Sequence, residues 1–116
     1  MLIGLNCIVG SVIHEIGHII GFCHQHSRDD RDKHVFVNYS KIPKSQWKKY
    51  SIINDYSQSN YYSVPYDLFS IMHYTGDDKI SARDSKRSFL MGQRTSLSYL
   101  DAKMANLAYK CSGKCI

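Results

Sequence analysis

At 116 residues and 43% hydrophobic content, the chain is sized for one modest domain with its own core, in the range where staples, metals or partners add useful stability. Its net charge of +5 is spread from Arg28 to Lys114, and no apolar stretch approaches the length of a membrane span, which argues against a spanning protein. The one dense basic run, Lys41 to Lys49, encloses Trp47 and reads as a solvated face; without an accompanying motif it argues against nucleic acid as a partner.

The segment from Met1 to Ile13 is apolar but lacks a basic start and a cleavage site, so it reads as buried structure. A first helix is expected to begin near Ser11, whose hydroxyl can cap it. Ile13, Ile16 and Ile20 recur at helical spacing and predict its buried face, and Gly21 marks its end. From Arg28 to Tyr66 the chain is polar and rich in Tyr, Ser and Asn. Within it, Val35-Phe36-Val37 is a short extended candidate and Lys44 to Ile53 a short helix around Trp47. Ser63-Val64-Pro65 breaks regular structure, and Gly76 to Ser88 reads as a charged surface loop. Ser98 and Asp101 form a capping-box-like start for a last helix, with Leu100, Met104, Leu107, Ala108 and Cys111 at helical spacing. Met104 and Leu107 are predicted core, and Lys110 is placed in the last turn, where it suits the helix dipole.

Cys7, Cys23, Cys111 and Cys115 make an even count, which hints at disulfides and an oxidising compartment but fixes no pairing. Asn38-Tyr39-Ser40 matches the N-glycosylation sequon, a pattern short enough to arise by chance, so it agrees only weakly with secretion.

The decisive segment is His14-Glu15-Ile16-Gly17-His18-Ile19-Ile20-Gly21-Phe22-Cys23-His24. His14 and His18, four apart, put both imidazoles on one helix face, close enough to share a cation. Gly21 lets the chain leave the helix sharply, so that His24 can return as a third ligand. Three histidines leave the fourth position of a single zinc ion open, the arrangement of a catalytic and not a structural site. Zinc lowers the pKa of bound water to about 7, and Glu15 stands where it can take the water proton and pass it to a leaving amine. Glu15 is the only glutamate in the chain, and the chance of three histidines and a glycine at these offsets from it is about one in two hundred thousand. That separates the longer motif from a bare HExxH. The lone glutamate also rules out thermolysin-like enzymes, which need a second one.

The longer pattern followed by a methionine turn is the metzincin signature, and Ser70-Ile71-Met72-His73-Tyr74 supplies such a turn. Met72 is expected to form an apolar floor beneath the metal, and Tyr74 to bring a phenol to it as weak ligand or oxyanion donor.

The chain resembles the astacin family of zinc endopeptidases. The helix and its exit with Phe22 after Gly21, the continuation Arg28, Asp30, Arg31, Asp32, and Pro65-Tyr66-Asp67 before the methionine turn all look like that family. So do Gly92-Gln93-Arg94, Leu97-Ser98, Asp101, Asn106, Tyr109 and Cys111 near the end. The likeness runs from about Cys7 to Cys111. It implies an α+β fold, of which this chain would hold the active-site helix, an irregular middle with short strands and a C-terminal helix, the metzincin lower subdomain. Residues 1–111 would be a partial peptidase domain without its N-terminal half, and 112–116 a tail. It implies a secreted, prosegment-regulated endopeptidase acting on extended peptides; the expectation of no membrane and no nucleic acid as partner comes from the sequence itself, which holds neither a span nor a nucleic-acid motif. It implies His14, His18 and His24 as ligands of one zinc, Glu15 as base, Tyr74 as a movable ligand that swings to stabilise the transition state, and His73 as structural. Gln25 stands where the family has a glutamate that anchors the processed N-terminus, and the segment between Tyr74 and Gly92 looks shortened. The alternative implied by the missing half is an inactive zinc-binding scaffold.

Overall fold

A computed structural model describes residues 8–53 and 61–111. Among them, two helices flank a run of single turns and a small sheet. Helix α1 spans Val9–Ile19 and helix α2 spans Tyr99–Ala108. Between them, short 3-10 turns cover Gln25–Ser27, Arg31–Lys33, Tyr39–Lys41, Lys44–Tyr50 and Ser85–Leu90. Strands β1 (Val35–Val37) and β2 (Ile80–Ala82) pair antiparallel, with Val35 opposite Ala82, Phe36 opposite Ser81 and Val37 opposite Ile80. None of the described helices is long and apolar enough to cross a membrane.

Helix α1 starts earlier than its sequence suggests. Ile8 is the N-cap, no side chain caps it, and Ser11 lies inside the helix with its N–H donating to the Ile8 carbonyl. Tertiary packing overrides the capping preference here: Gly10 lies so close to the Arg94 carbonyl that a Cβ would sit 1.5 Å from its oxygen. The buried stripe is also not the isoleucine face. Gly10, His14 and Gly17 are buried, Ile13 and Ile20 are partly buried at the core, and Ile16 is 47% exposed. Of the start expected to be buried, Ile8 and Val9 are exposed, Gly10 is buried and residues 11–13 are half-buried; Met1 to Cys7 lie outside the described residues. The exit of α1 is a Schellman motif. Gly21 adopts φ +97°, its N–H meets the His18 carbonyl, and the Phe22 N–H meets the Gly17 carbonyl.

Helix α2 has the expected box: the Asp101 N–H donates to Ser98 Oγ at 2.9 Å and the Ser98 N–H to Asp101 Oδ2 at 3.0 Å. Met104 is core, as predicted. Leu107 is 43% exposed, and Lys110 lies past the helix at φ +51°, so neither takes its expected place. The Tyr109 hydroxyl donates to the Ile20 carbonyl, fastening the far ends of the two helices.

The presumed loop from Gly76 to Ser88 contains β2. Its charged flanks conceal an Ile-Ser-Ala alternation whose outer members, Ile80 and Ala82, are buried against Val35 and Val37. The region around Trp47 forms a 3-10 helix ending at Tyr50. The break before Pro65 is a turn in which Tyr62 and Ser63 both take positive φ.

Two apolar clusters result. One joins Phe22, Tyr61, Val64, Ile71, Met72 and Met104; the other joins the inner face of the sheet to Ile42, Tyr50 and Met91, with Tyr74 packed on it. Residues 70–74 pass from the first cluster to the second and carry the methionine turn between them.

Candidate metal centre

Helix α1 delivers His14 and His18, and the Schellman exit turns the chain so that His24 comes back toward them. Their rings lie 4.6 to 5.3 Å apart between centroids, and one ligand atom from each lies within 4.8 Å of the others. His18 Nε2 and His24 Nε2 approach to 3.2 Å. Zinc–nitrogen bonds of about 2.0–2.1 Å at tetrahedral angles separate ligand nitrogens by roughly 3.3 Å, so this pair already stands at the spacing zinc requires.

Two of the three rings are oriented by the backbone. The His14 Nδ1–H donates to the Ile71 carbonyl at 2.7 Å, and the His18 Nδ1–H to the Phe22 carbonyl at 2.8 Å. Each bond places the proton on Nδ1 and leaves the Nε2 lone pair for a cation. Burial lowers the pKa of His14, and burial with the neighbouring His26, His18 and His14 lowers that of His24 to about 3. At neutral pH these two rings are therefore unprotonated donors. The donor set, three imidazoles with no competing charge among the ligands, fits zinc.

Met72 lies fully buried against α1, and a Cβ on Gly17 would stand 2.5 Å from its Sδ. Gly17, one turn after His14 and next to His18, is thus the notch that admits the methionine turn. The Gln25 N–H donates to the Met72 carbonyl at 3.1 Å and ties the turn to the His24 segment as well. Glu15 is half-buried beside His14. Burial pulls the Arg94 pKa down while the Glu15 carboxylate opposes that shift, so the two opposite charges are near enough to interact.

Tyr74 comes in from the other side. Its ring lies 4.8 Å from His24, 4.0 Å from His26 and 5.5 Å from Tyr50. Burial, with Tyr50 adding to it, raises the Tyr74 pKa, which keeps its phenol a proton donor. His73 points elsewhere and is fully buried: its Nδ1–H donates to the Tyr74 carbonyl, and the Tyr66 hydroxyl donates to its Nε2 at 2.8 Å.

Sequence reasoning missed three contributors. His26 is wholly buried beneath Tyr74, its Nε2–H donating to the Lys49 carbonyl at 2.7 Å. Its Nδ1 and Gln25 Oε1 are the buried side-chain atoms that find no partner among the described residues. Arg94 lines the same region and donates to the His73 carbonyl at 3.3 Å. Arg28, also buried, holds the turn after His24: it grips the Asp30 carboxylate in a fork at 2.8 and 2.9 Å, donates to the Val64 carbonyl, and lies 3.8 Å over the Tyr61 ring. His26 carried no signal beyond its nearness to the metal motif, and Arg28 and Arg94 stood only among the residues of the family resemblance, with no role attached.

Comparison with known proteins places the chain among its relatives. The family model described as Astacin, a peptidase family, matches residues 1–110. The chain is similar to zinc metalloproteinase nas-38 of Caenorhabditis elegans, 34% identical over 116 residues, covering 93% of this chain and 16% of that protein. It is likewise similar to nematocyst expressed protein 6 of Nematostella vectensis, at 39% identity over 93% of this chain and 39% of that protein. With meprin A subunit beta of Mus musculus it is 36% identical, covering 95% of this chain and 17% of that one. Among solved structures it superposes on high choriolytic enzyme 1, a hatching enzyme zinc-protease of the medaka Oryzias latipes, with a TM-score of 0.80 and 31% identity over 89% of this chain and 53% of that one. The chain thus spans well under half the length of these sequence relatives and about half of that solved chain. With a family model running over nearly every residue and an α+β arrangement shared with a zinc protease of that kind, the chain belongs to the astacin family of peptidases.

Proposed function

We propose that this chain carries the zinc-binding, catalytic part of an extracellular metalloendopeptidase that hydrolyses peptide bonds in extended peptide or protein substrates. The observation that carries the reading is the convergence of His14, His18 and His24, two of them pinned at Nδ1 by backbone carbonyls, with Glu15 beside them. His14, His18 and His24 would hold one zinc through Nε2, and that ion when bound supplies Lewis acidity toward a water and a substrate carbonyl. Glu15 takes the proton of the attacking water at its carboxylate and delivers it to the departing amine nitrogen. Tyr74, kept protonated by burial, donates its phenol hydrogen to the oxygen that becomes negative as the carbonyl is attacked. Met72 and Gly17 keep the helix histidines in register, and His73 stays outside the reaction with both ring nitrogens engaged. Residues 1–111 are taken as the catalytic unit. No disulfide is assigned, since Cys7 and Cys115 lie outside the described residues.

The test is Glu15→Ala. It should retain one zinc per chain and lower peptide cleavage by about 10²–10⁴-fold, the usual contribution of a general base. A variant that cleaves a peptide library as fast as the parent would refute the assigned role. A parent chain that binds zinc and never turns over would instead support the inactive scaffold.

A further inference from the structure

The proposed chemistry leaves one motif unused, and the structure supplies its geometry. Asn38-Tyr39-Ser40 is the only Asn-x-Ser/Thr triplet in the sequence. It sits at the end of β1, where the Asn38 N–H still donates to the Lys79 carbonyl at 2.8 Å and extends the ladder by one bond. The side chain then closes a tight local turn. Asn38 Oδ1 accepts from the Ser40 N–H at 3.2 Å and from the Ser40 hydroxyl at 2.5 Å. Every hydrogen bond the side chain makes among the described residues thus goes to Oδ1, and Nδ2 is left pointing to no protein acceptor on a half-exposed residue.

A second feature concerns Phe36. Phe36 is the exposed middle residue of β1, on the outer side of the sheet opposite the buried Val35 and Val37, and Asn38 follows two residues on, just past the strand but still tied to the ladder through its N–H. Phe36 is 51% exposed, and its cross-strand partner is the small Ser81, so its ring stands uncovered one strand repeat from Asn38. An aromatic ring there matches the apolar C–H face of a pyranose attached to Nδ2.

We propose that Asn38 is an N-glycan acceptor and that Phe36 is the platform on which the first sugar packs. The Ser40 hydroxyl and N–H, donating to Oδ1, draw charge onto that oxygen and make Nδ2–H more acidic, so that loss of a proton turns a poorly nucleophilic carboxamide into an imidate-like nucleophile. Nδ2 attacks the anomeric carbon of a lipid-diphosphate-linked oligosaccharide. The new N–C bond forms as the C–O bond to the diphosphate breaks. The diphosphate leaves with the bonding pair, and one Nδ2 proton passes to a base of the transferase. No electron is gained or lost overall. The site uses no residue of the metal centre, so it is independent of the peptidase chemistry and rests only on the extracellular routing proposed above.

The experiment expresses the full chain behind a cleavable secretory leader in animal cells. The translocated chain should show a single mobility shift that peptide N-glycosidase removes, leaving Asp at position 38 on peptide mapping. Asn38→Gln and Ser40→Ala should lose the shift, Ser40→Thr should keep it, and Glu15→Gln should be modified like the parent. Enzymatic removal of the glycan from the folded parent should lower its melting temperature, and Phe36→Ala should close that gap. Translocated chain with an unmodified Asn38 would overturn the acceptor assignment. A melting gap that survives Phe36→Ala would overturn the platform.

Discussion

His26 and His73 are both fully buried, and burial is the first cause that lowers each pKa to about 4. One hydrogen bond on each opposes the shift without reversing it: Lys49 accepts from His26, and Tyr74 accepts from His73. The unfolded chain would titrate these rings near 6.5, so between about 6.5 and 4 it binds protons that the folded chain refuses. The contribution of each ring, of order 3 kcal/mol, is therefore complete above about pH 6.5 and drains away as the pH falls toward 4. Denaturant midpoints of the metal-free chain, in which zinc release contributes nothing, should be level from pH 8 to about 7 and fall steeply below about 6. A midpoint unchanged down to about pH 4.5 would contradict this account. His73 was expected to be structural only through the family resemblance, and His26 was not legible as buried at all. His26 follows His24 by two residues with no periodic pattern to give its direction, whereas the metal histidines follow from the i, i+4 rule and a glycine exit alone.

The N-terminus of α2 does more than begin a helix. Asp101, 1% exposed, accepts from the Ser98 N–H, from the Ile71 N–H at 2.9 Å and from the Ser70 hydroxyl at 2.6 Å, while Ser98 Oγ also donates to Asp67. The capping box is therefore also the clamp on the methionine turn, whose Ile71 carbonyl in turn orients His14. Asp101→Ala would strand three buried donors and should cost about 3 kcal/mol or more. It should also weaken zinc binding, because the Ile71 carbonyl loses its hold. Urea unfolding and a zinc titration on the same variant check both parts; a loss under about 0.5 kcal/mol with parental zinc affinity would refute the clamp. The box could be read from Ser98 and Asp101 because capping is local. The clamp could not, since its partners lie 30 and 31 residues away. The same limit hid β2, which is too short for a periodic signal, and misplaced the start of α1, where contact between Gly10 and Arg94 decides. The buried face of α1 can nonetheless be read if glycines count as inward-facing: Gly10, His14 and Gly17 run at helical spacing.

Among the described residues the apolar packing forms two modest clusters, with the segment that carries the metal histidines packed on one and Tyr74 packed on the other. Zinc at a concentration about a hundred times its dissociation constant should add about 2.7 kcal/mol to the folded state. In a chain of this size that corresponds to a rise of roughly 10 °C in Tm. Differential scanning with zinc and then with excess chelator would measure it, and coincident melts in the two conditions would show that His14, His18 and His24 do not bind the ion in the folded chain.

Because the segment from Ser70 to Tyr74 is shared by both clusters, neither can loosen without disturbing the other's edge. Ion occupancy and packing density then become reciprocal quantities. Whatever slackens the interhelical side lowers affinity at the histidines, and an ion seated there slows amide exchange in strands that never touch it.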